Sequence, residues 1–265
     1  MSKGSRNRSR ASAKIAQQRA QEGRRRRRLW LAGTGAVVVV AAAAGGITLG
    51  VSGGGAPAAG STPAVGASSS PRLKLAPLST LGTLAPAPPP GPAGPEGVPV
   101  PKAAPLAGIA TIATGQPVDG ISCQTSEQTI FHIHAHLTVF VNGQPRQVPA
   151  GVGIPGAQAQ NTAQGPFIAT GTCFYWLHTH ASDGVIHIES PVRRVYTLGN
   201  FFDEWGQPLG PDQAGQARGH VTVIYNGQAY QGNPRDIPLT KHAQIQLEIG
   251  KPVTAPTSIT WPSGL

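Results

Sequence analysis

The chain has 265 residues and a formal net charge of +10, and this charge is unevenly distributed. Residues 1–28 contain eleven lysines and arginines against a single acid, Glu22, whereas the rest of the chain has ten basic and ten acidic residues and is neutral. Because the excess charge lies in a terminal tail, the composition argues against a nucleic-acid-binding face in the remainder. We therefore expect a basic tail and no nucleic-acid partner.

An uncharged, apolar segment follows five consecutive arginines, Arg24–Arg28. As a helix, residues 29–51 extend about 35 Å, which exceeds the roughly 30 Å hydrocarbon core of a bilayer. The arginines predict that residues 1–28 stay in the cytoplasm and that the rest of the chain lies outside. We expect a single-pass transmembrane helix in the plasma membrane. A cleaved signal peptide and a buried core helix are the alternatives.

Residues 52–105 are rich in proline, glycine and alanine. Such a composition buries too little apolar surface to offset the entropy of ordering, so we expect a disordered linker that holds a domain away from the membrane. All eight histidines and both cysteines lie after this segment. Residues 106–265 are therefore predicted to form one extracytoplasmic, histidine-rich domain.

The pattern of this domain is mainly that of β-strands. An Asn-Gly pair at residues 142–143 separates two alternating segments, and the same device recurs at residues 226–227. Asn-Gly favours a type I′ turn between paired strands, so two similar hairpins are predicted. Further strands are predicted at residues 184–190 and 243–250.

One helix interrupts the strands. Its apolar residues recur at helical spacing, and it has a capping residue before it and a glycine after it. These residues are Leu198, Phe201, Phe202 and Trp205, with Thr197 as the cap and Gly206 as the stop. The expected fold is mainly β, a small sandwich or barrel with one short helix.

The stretch "FHIHAHL" at residues 131–137 alternates histidines with apolar residues. Successive side chains of a strand point to opposite faces, so His132, His134 and His136 share one face and the apolar residues share the other. If the apolar face packs on the core, the histidine face looks into a cleft or toward solvent.

A second histidine cluster follows in "WLHTH" and "GVIHIES", where a tight turn, "ASDG", joins two strands. The hairpin brings His178, His180, His187 and Glu189 near one another. Imidazole nitrogens suit copper, zinc, nickel and iron, and we expect one transition-metal site, for copper or zinc. The predicted ligands are His132, His134, His136, His178, His180, His187 and Glu189. The alternatives without a metal are a solvated polar strand face and histidines that are hydrogen-bonded to neighbouring carbonyls.

The two cysteines, Cys123 and Cys173, lie just before the two clusters. In a domain outside the cytoplasm we expect them to form a disulfide. The alternative is thiolate ligation of copper or zinc, although no Cys-x-x-Cys spacing supports it.

The function predicted from these features is metal binding, storage or sensing at the cell surface. One alternative is a metal-dependent oxidoreductase or hydrolase in which Glu189, Asp183 or Glu127 serves as acid or base. Another is a structural envelope module whose histidines are only polar surface. Ser182 and Ser190 lie near histidines, but no third member completes the pattern of a serine-hydrolase triad.

Four sequence blocks follow one another along the domain: "HIHAHLTVFVNGQPRQVPAGVGI", "CFYWLHTHASDGVIHIESP", "YTLGNFFDEWGQPL" and "RDIPLTKHAQIQLEIG". Together they resemble an uncharacterised family of bacterial and archaeal membrane-anchored or secreted histidine-rich domains. The resemblance covers about residues 118–265. It implies domain limits and no particular activity.

Overall fold

The structure, a computed structural model, describes residues 73–109 and 115–265. The predicted basic tail, the predicted transmembrane helix at 29–51 and residues 52–72 of the predicted linker lie outside this part of the chain. Within the described ranges no helix is long and apolar enough to cross a bilayer.

Short strands joined by many turns dominate the described residues, with one α-helix, α1 (Leu198–Trp205), and two 3₁₀ turns (Leu78–Leu81 and Pro234–Asp236). The strands, numbered in chain order, are β1 (Leu75–Ala76), β2 (Cys123–Gln124), β3 (Phe131–Val141), β4 (Gln144–Arg146), β5 (Gln158–Thr162), β6 (Gly165–Thr170), β7 (Phe174–Tyr175), β8 (Leu177–His178), β9 (Val185–Ser190), β10 (Leu209–Gly210), β11 (Gln213–Ala214), β12 (Ala217–Arg218), β13 (Val221–Tyr225), β14 (Gln228–Tyr230) and β15 (Gln244–Ile249).

Eight strands form the main sheet in the order β1-β14-β13-β15-β3-β9-β8, with β4 also paired to β3. The long strand β3 runs parallel to β15 on one side and antiparallel to β9 on the other. Three smaller sheets are formed by β10-β11-β12, by β2 and β7, and by β5 and β6. The predicted mainly β domain with one short helix is confirmed for the described residues, and its several sheets are consistent with a sandwich.

Both predicted hairpins are present. The strand pairs β3–β4 and β13–β14 are joined at Asn142–Gly143 and Asn226–Gly227. All four turn residues have positive φ, between 49° and 77°. A type I′ turn requires this conformation at both central positions, and Asn and Gly adopt it most readily.

The helix also matches its prediction. The Thr197 hydroxyl accepts a hydrogen bond from the Asn200 backbone N–H, and the Asn200 side chain accepts one from the Thr197 backbone. This reciprocal cap satisfies backbone donors that the first turn leaves unpaired. Gly206 ends the helix with φ of 68°, a left-handed conformation that favours glycine. Phe201, Phe202 and Trp205 are buried in the core beneath the sheet strands.

Residues 73–105, which composition assigns to the disordered linker, pack on the domain instead. Leu75 pairs with Tyr230 across β1 and β14, and isolated bridges join Ala85 to Thr254 and Pro105 to Gln147. The predicted linker is therefore wrong for this stretch. Prolines restrict the unfolded chain and so reduce the entropy that ordering costs, while apolar residues such as Val98, which is fully buried, supply packing.

The disulfide is confirmed: Cys123 and Cys173 are bonded, with Cα atoms 5.4 Å apart. The bridge lies where β2 pairs with β7, and Cys123 is directly opposite Tyr175. It thereby fixes the segment that leads into β8 close to the segment that leads into β3. Thiolate ligation by these cysteines is excluded, because both sulfurs are engaged in the bond.

Candidate metal centre

The two predicted histidine clusters lie on one face of the main sheet, with strand β9 between them. His187 on β9 pairs with His134 on β3 and also with His178 on β8. Directly paired residues point to the same face, so the three rings form a row across three strands. The opposite face carries Ala135 and Ile188, which belong to the hydrophobic core.

A first donor group surrounds the β3 side of this row. The Nε2 atoms of His132 and His134 are 3.1 Å apart, and His134 Nε2 is 3.2 Å from His187 Nδ1. Glu189 Oε1 lies 3.0 Å from His132 Nε2 and 3.5 Å from His187 Nδ1. These four contacts close a ring of four potential ligand atoms.

The first group is enclosed on most sides. His134, His187 and Glu189 are each no more than 6 % exposed, whereas the side chain of His132 is 30 % exposed. An ion held by this group would therefore be shielded from water except on the side of His132.

A second donor group lies on the β8 side. The Nε2 atoms of His178 and His180 are 3.2 Å apart. Each ring donates its Nδ1–H to a backbone carbonyl, His178 to Tyr175 at 2.8 Å and His180 to Ile168 at 2.5 Å. Carbonyl oxygens only accept hydrogen bonds, so both Nδ1 atoms carry the proton and both Nε2 atoms present a lone pair when the rings are neutral.

Three overlapping groups of possible ligands thus arise among the described residues, each with donor atoms within 4.8 Å of one another. They share His187, His178 or Glu189. The groups are His132, His134, His187 and Glu189; His178, His180 and His187; and Glu127, His178 and Glu189.

His136 lies outside these groups although it shares the strand face with His134. Its Nε2 donates to the Asp183 carbonyl at 2.8 Å, and the Thr138 hydroxyl lies 3.4 Å from its Nδ1. Both ring nitrogens are therefore engaged with the protein itself. The structure places this residue as a buried, hydrogen-bonded histidine beside the centre.

Glu96, which was not among the candidate residues, reaches the centre from the predicted linker. A β-turn closed by Gly97 N–H and the Gly94 carbonyl holds Pro95 and Glu96 at its tip. Glu96 Oε1 lies 2.8 Å from His187 Nε2. The available signal was that Glu96 is the one acid in residues 52–105.

Glu127 joins the second group as a possible ligand, a role that the sequence did not suggest. Its Oε1 atom is 3.4 Å from His180 Nε2, and its side chain is 40 % exposed. It lies four residues after Cys123, so the disulfide constrains its position. The hairpin of β5 and β6 also contributes, because Phe167 stacks on the His180 ring at 5.0 Å.

Burial keeps most of the imidazoles neutral. It lowers the pKa of His134 to about 3, with a further contribution from the nearby His187 charge. It also lowers the pKa of His180 to about 4 and that of His178 well below its usual value. His136 has its pKa lowered to about 4 for the same reason. Neutral imidazole is the form that ligates metals.

Two carboxylates raise the pKa of His187, whereas burial lowers the pKa of the other imidazoles. Burial alone would lower the pKa of this histidine, but Glu96 and Glu189 raise it to about 10. Burial alone would raise the pKa of Glu189, but hydrogen bonds from His132 and His187 hold it well below its usual range. Burial and the Glu96 charge raise the pKa of Asp183 to about 7. The centre therefore concentrates negative charge around His187.

Apart from the histidines of the centre, this negative charge has no basic counterpart among the described residues. Glu96, Asp183 and Glu189 are buried, and none has a lysine or arginine partner among the described residues. Each also has one carboxylate oxygen that is buried and finds no hydrogen-bond partner there. Burying carboxylates is costly unless a compensating positive charge or hydrogen bonds are supplied.

The donor set contains nitrogen and oxygen only. Both cysteines of the chain form the disulfide, and its single methionine is Met1. No family model, curated protein or solved structure matches the chain. The resemblance to membrane-anchored histidine-rich domains stays a prediction.

Proposed function

We propose that the domain binds a divalent transition-metal ion, zinc or copper, through His132 Nε2, His134 Nε2, His187 Nδ1 and Glu189 Oε1. The observation that carries this proposal is the closed ring of four donor atoms, whose successive separations are 3.0–3.5 Å. Ligands at about 2.0–2.1 Å from a tetrahedral ion are roughly 3.3 Å from one another. The ring therefore has the dimensions of a coordination shell.

Glu96 supports the same proposal from outside the ring. Metal-bound histidines commonly donate their second ring N–H to a carboxylate, which fixes the tautomer and orients the ring. The contact of Glu96 Oε1 with His187 Nε2 fits this arrangement and leaves Nδ1 of His187 for the ion. A divalent cation would also compensate the buried carboxylates.

The choice of metal follows from the donors. Imidazole and carboxylate suit zinc and copper(II), whereas copper(I) favours the thiolate and thioether ligands that the centre lacks. Imidazole nitrogen and carboxylate oxygen are both ordinary ligands of zinc. We therefore expect zinc or copper(II), not copper(I), to be the resident ion.

We further propose that the protein is anchored in the plasma membrane by residues 29–51, with the metal centre outside. The run Arg24–Arg28 and the disulfide, which persists in oxidising compartments, support this location. Binding, storage or sensing of an external metal is the role that fits. Proteolysis of intact cells should digest residues 73–265 and spare residues 1–28. Recovery of the unprocessed chain from the soluble cytoplasm would contradict it.

The alternative of a metal-dependent oxidoreductase or hydrolase stays a prediction. It requires an acid or base beside the ion, for which Glu189 and Asp183 are the candidates. Because Glu189 Oε1 lies between two imidazole nitrogens, the proposal assigns Glu189 to ligation. Asp183 is then the residue left for proton transfer.

The test compares two neighbouring histidines. His134 and His136 lie on the same strand and face and are equally buried, but only His134 belongs to the ring. In the full-length protein purified in detergent, His134→Ala should weaken zinc binding by at least about 100-fold, as measured by competition with a chelator. His136→Ala should leave the affinity within a few-fold. Equal losses from the two substitutions would contradict the proposal.

A further inference from the structure

We infer that the centre holds a second divalent ion, bound by His178, His180 and Glu127, and that the carboxylate of Glu189 bridges the two ions. This inference rests on the proposed function, because the first ion occupies the ring around His134. It makes the centre dinuclear.

The first reason is the contact between two lone pairs. Nε2 of His178 and Nε2 of His180 face each other at 3.2 Å, and both rings donate their Nδ1–H to backbone carbonyls. Two neutral acceptors at this distance repel one another unless a cation lies between or beside them. Protonation of one ring would also supply a positive charge. Both rings are buried, however, so an imidazolium there is unfavourable. A metal ion satisfies both nitrogens together.

The second reason is a third acceptor at the same place. Glu127 Oε1 lies 3.4 Å from His180 Nε2, and Glu127 and His178 offer donor atoms within 4.8 Å of each other. Glu127 therefore brings carboxylate oxygen close to both imidazoles. Because the Glu127 side chain is 40 % exposed, the second ion has a route to solvent that is separate from His132.

The third reason is the unused oxygen of Glu189. Its Oε1 faces His132 and His187 in the first group, while Oε2 is buried and without a hydrogen-bond partner among the described residues. Glu189 is also grouped with His178 and Glu127 of the second set. A carboxylate can bind one ion through each oxygen, and this use satisfies the orphaned atom.

A single ion cannot take both sets of ligands. Ligands of one ion with bonds near 2.1 Å are at most about 4.2 Å apart. Among the described residues, no group of donor atoms within 4.8 Å of one another contains both His134 and His178. The ligands accordingly divide into two sets, with His187 and Glu189 adjoining both.

The charges of the carboxylates in the centre also favour a second ion. Glu96, Glu127 and Glu189 bring three negative charges to the two groups, and Asp183 adds a fourth when ionised. One divalent ion leaves an excess of negative charge in a largely buried region, which is costly. Two divalent ions carry four positive charges and remove this excess of negative charge.

The test counts bound zinc in the full-length protein after dialysis. The unaltered protein should hold two ions, and His178→Gln with His180→Gln should hold one. His132→Gln with His134→Gln should also lose one ion, and His220→Ala, at an exposed histidine outside the centre, should lose none. One ion in the unaltered protein, lost only through His132 and His134, would overturn the second site and leave the proposed function standing. No bound zinc would overturn both.

A measurement without ligand substitutions protects this test from misfolded variants. With two equivalents of copper(II), ions on the order of 4 Å apart should couple magnetically, so the spectrum of isolated copper(II) should be lost and a half-field signal should appear. Two uncoupled copper signals in the unaltered protein would overturn the bridge.

Discussion

Glu96 Oε1 lies 2.8 Å from His187 Nε2, and this contact joins two residues that are 91 positions apart in the chain. Glu96 stands at the tip of a turn in the segment that precedes the histidine strands, and His187 stands at the middle of the sheet row. The segment around Glu96 is therefore part of the centre. Anything that orders this segment should stabilise the metal-bound form, and the reverse should hold equally.

Glu96→Gln should weaken zinc binding by about 10–100-fold, the usual cost of losing a carboxylate that orients a metal-bound histidine. The substitution keeps the shape of the side chain and removes the negative charge that strengthens the hydrogen bond from His187 Nε2–H. Chelator competition measures the affinity. Asp212→Asn, at an exposed acid elsewhere in the domain, is the matched control and should have no effect. Equal affinities of the two variants would show that Glu96 does not orient the ligand.

Metal should also protect the segment that carries Glu96. Residues 91–101 are held by few backbone hydrogen bonds, including Gly94 N–H to the Val98 carbonyl and Val100 N–H to the Pro92 carbonyl. If Glu96 is coupled to a metal-bound His187, zinc should slow hydrogen exchange at these two amides by at least about 10-fold. The amides of α1 should change less. Unchanged exchange at Gly94 in zinc-saturated protein would rule out the coupling.

Breaking the disulfide should weaken both the fold and the centre. The bridge closes a loop with a sequence separation of 50, so the chain-entropy model assigns it about 4 kcal/mol. Cys123→Ser with Cys173→Ser should lower the denaturation midpoint accordingly. It should also reduce zinc binding, because Glu127 and the strand leading to His178 are positioned near the bridge. Full zinc affinity in the double variant would argue that these ligands are held by other contacts.

The buried carboxyl of Glu204 should make the domain less stable as pH rises. Burial, reinforced by the charge of Asp119, raises the pKa of Glu204 well above its usual value. Above about pH 4.3 the unfolded chain loses this proton while the folded chain keeps it, so stability falls as pH rises toward the folded pKa. Glu204→Gln should remove this slope.

The melting temperature of Glu204→Gln should exceed that of the unaltered protein at pH 8 by at least about 2 °C, since 1 kcal/mol corresponds to about 2–4 °C in a domain of this size. At pH 4 the difference should nearly vanish. Parallel curves for the two proteins between pH 4 and pH 8 would contradict the assignment. Differential scanning calorimetry measures these melting temperatures. A chelator is added so that metal binding does not contribute to them.

Thr197→Ala separates fold stability from metal binding. It removes the hydroxyl that caps α1 and should cost about 1 kcal/mol, while Thr197→Ser should cost less because serine retains the cap. The affinity of the folded protein for zinc should stay unchanged. A loss of affinity equal to that of His134→Ala would mean that any destabilisation reduces binding.

The sequence predicts those features that depend on local rules. Alternation places Ala135 and Leu137 in the core and the histidines on the other face, and both placements hold. The helix follows from Thr197 and Gly206, whose conformations are set by neighbouring backbone atoms. The disulfide follows from the number of cysteines and the expected compartment.

The features that sequence could not supply depend on contacts between distant segments. His134 and His136 have the same local sequence pattern, yet only His136 donates a hydrogen bond to the Asp183 carbonyl. Asp183 lies in the turn before β9, and this turn packs beside His136 and not beside His134. The partner of His187 comes from a proline-rich stretch whose composition resembles that of disordered linkers. Burial by packed proline and valine residues has no periodic signal of its own.

The most direct test of the central claim is anomalous X-ray diffraction at the zinc edge from crystals of the zinc-loaded protein. We expect an ion within about 2.0–2.2 Å of His132 Nε2, His134 Nε2, His187 Nδ1 and Glu189 Oε1. His136 should remain hydrogen-bonded to the Asp183 carbonyl. Absence of an ordered zinc ion from this ring, or its presence only at exposed histidines such as His220, would contradict the account.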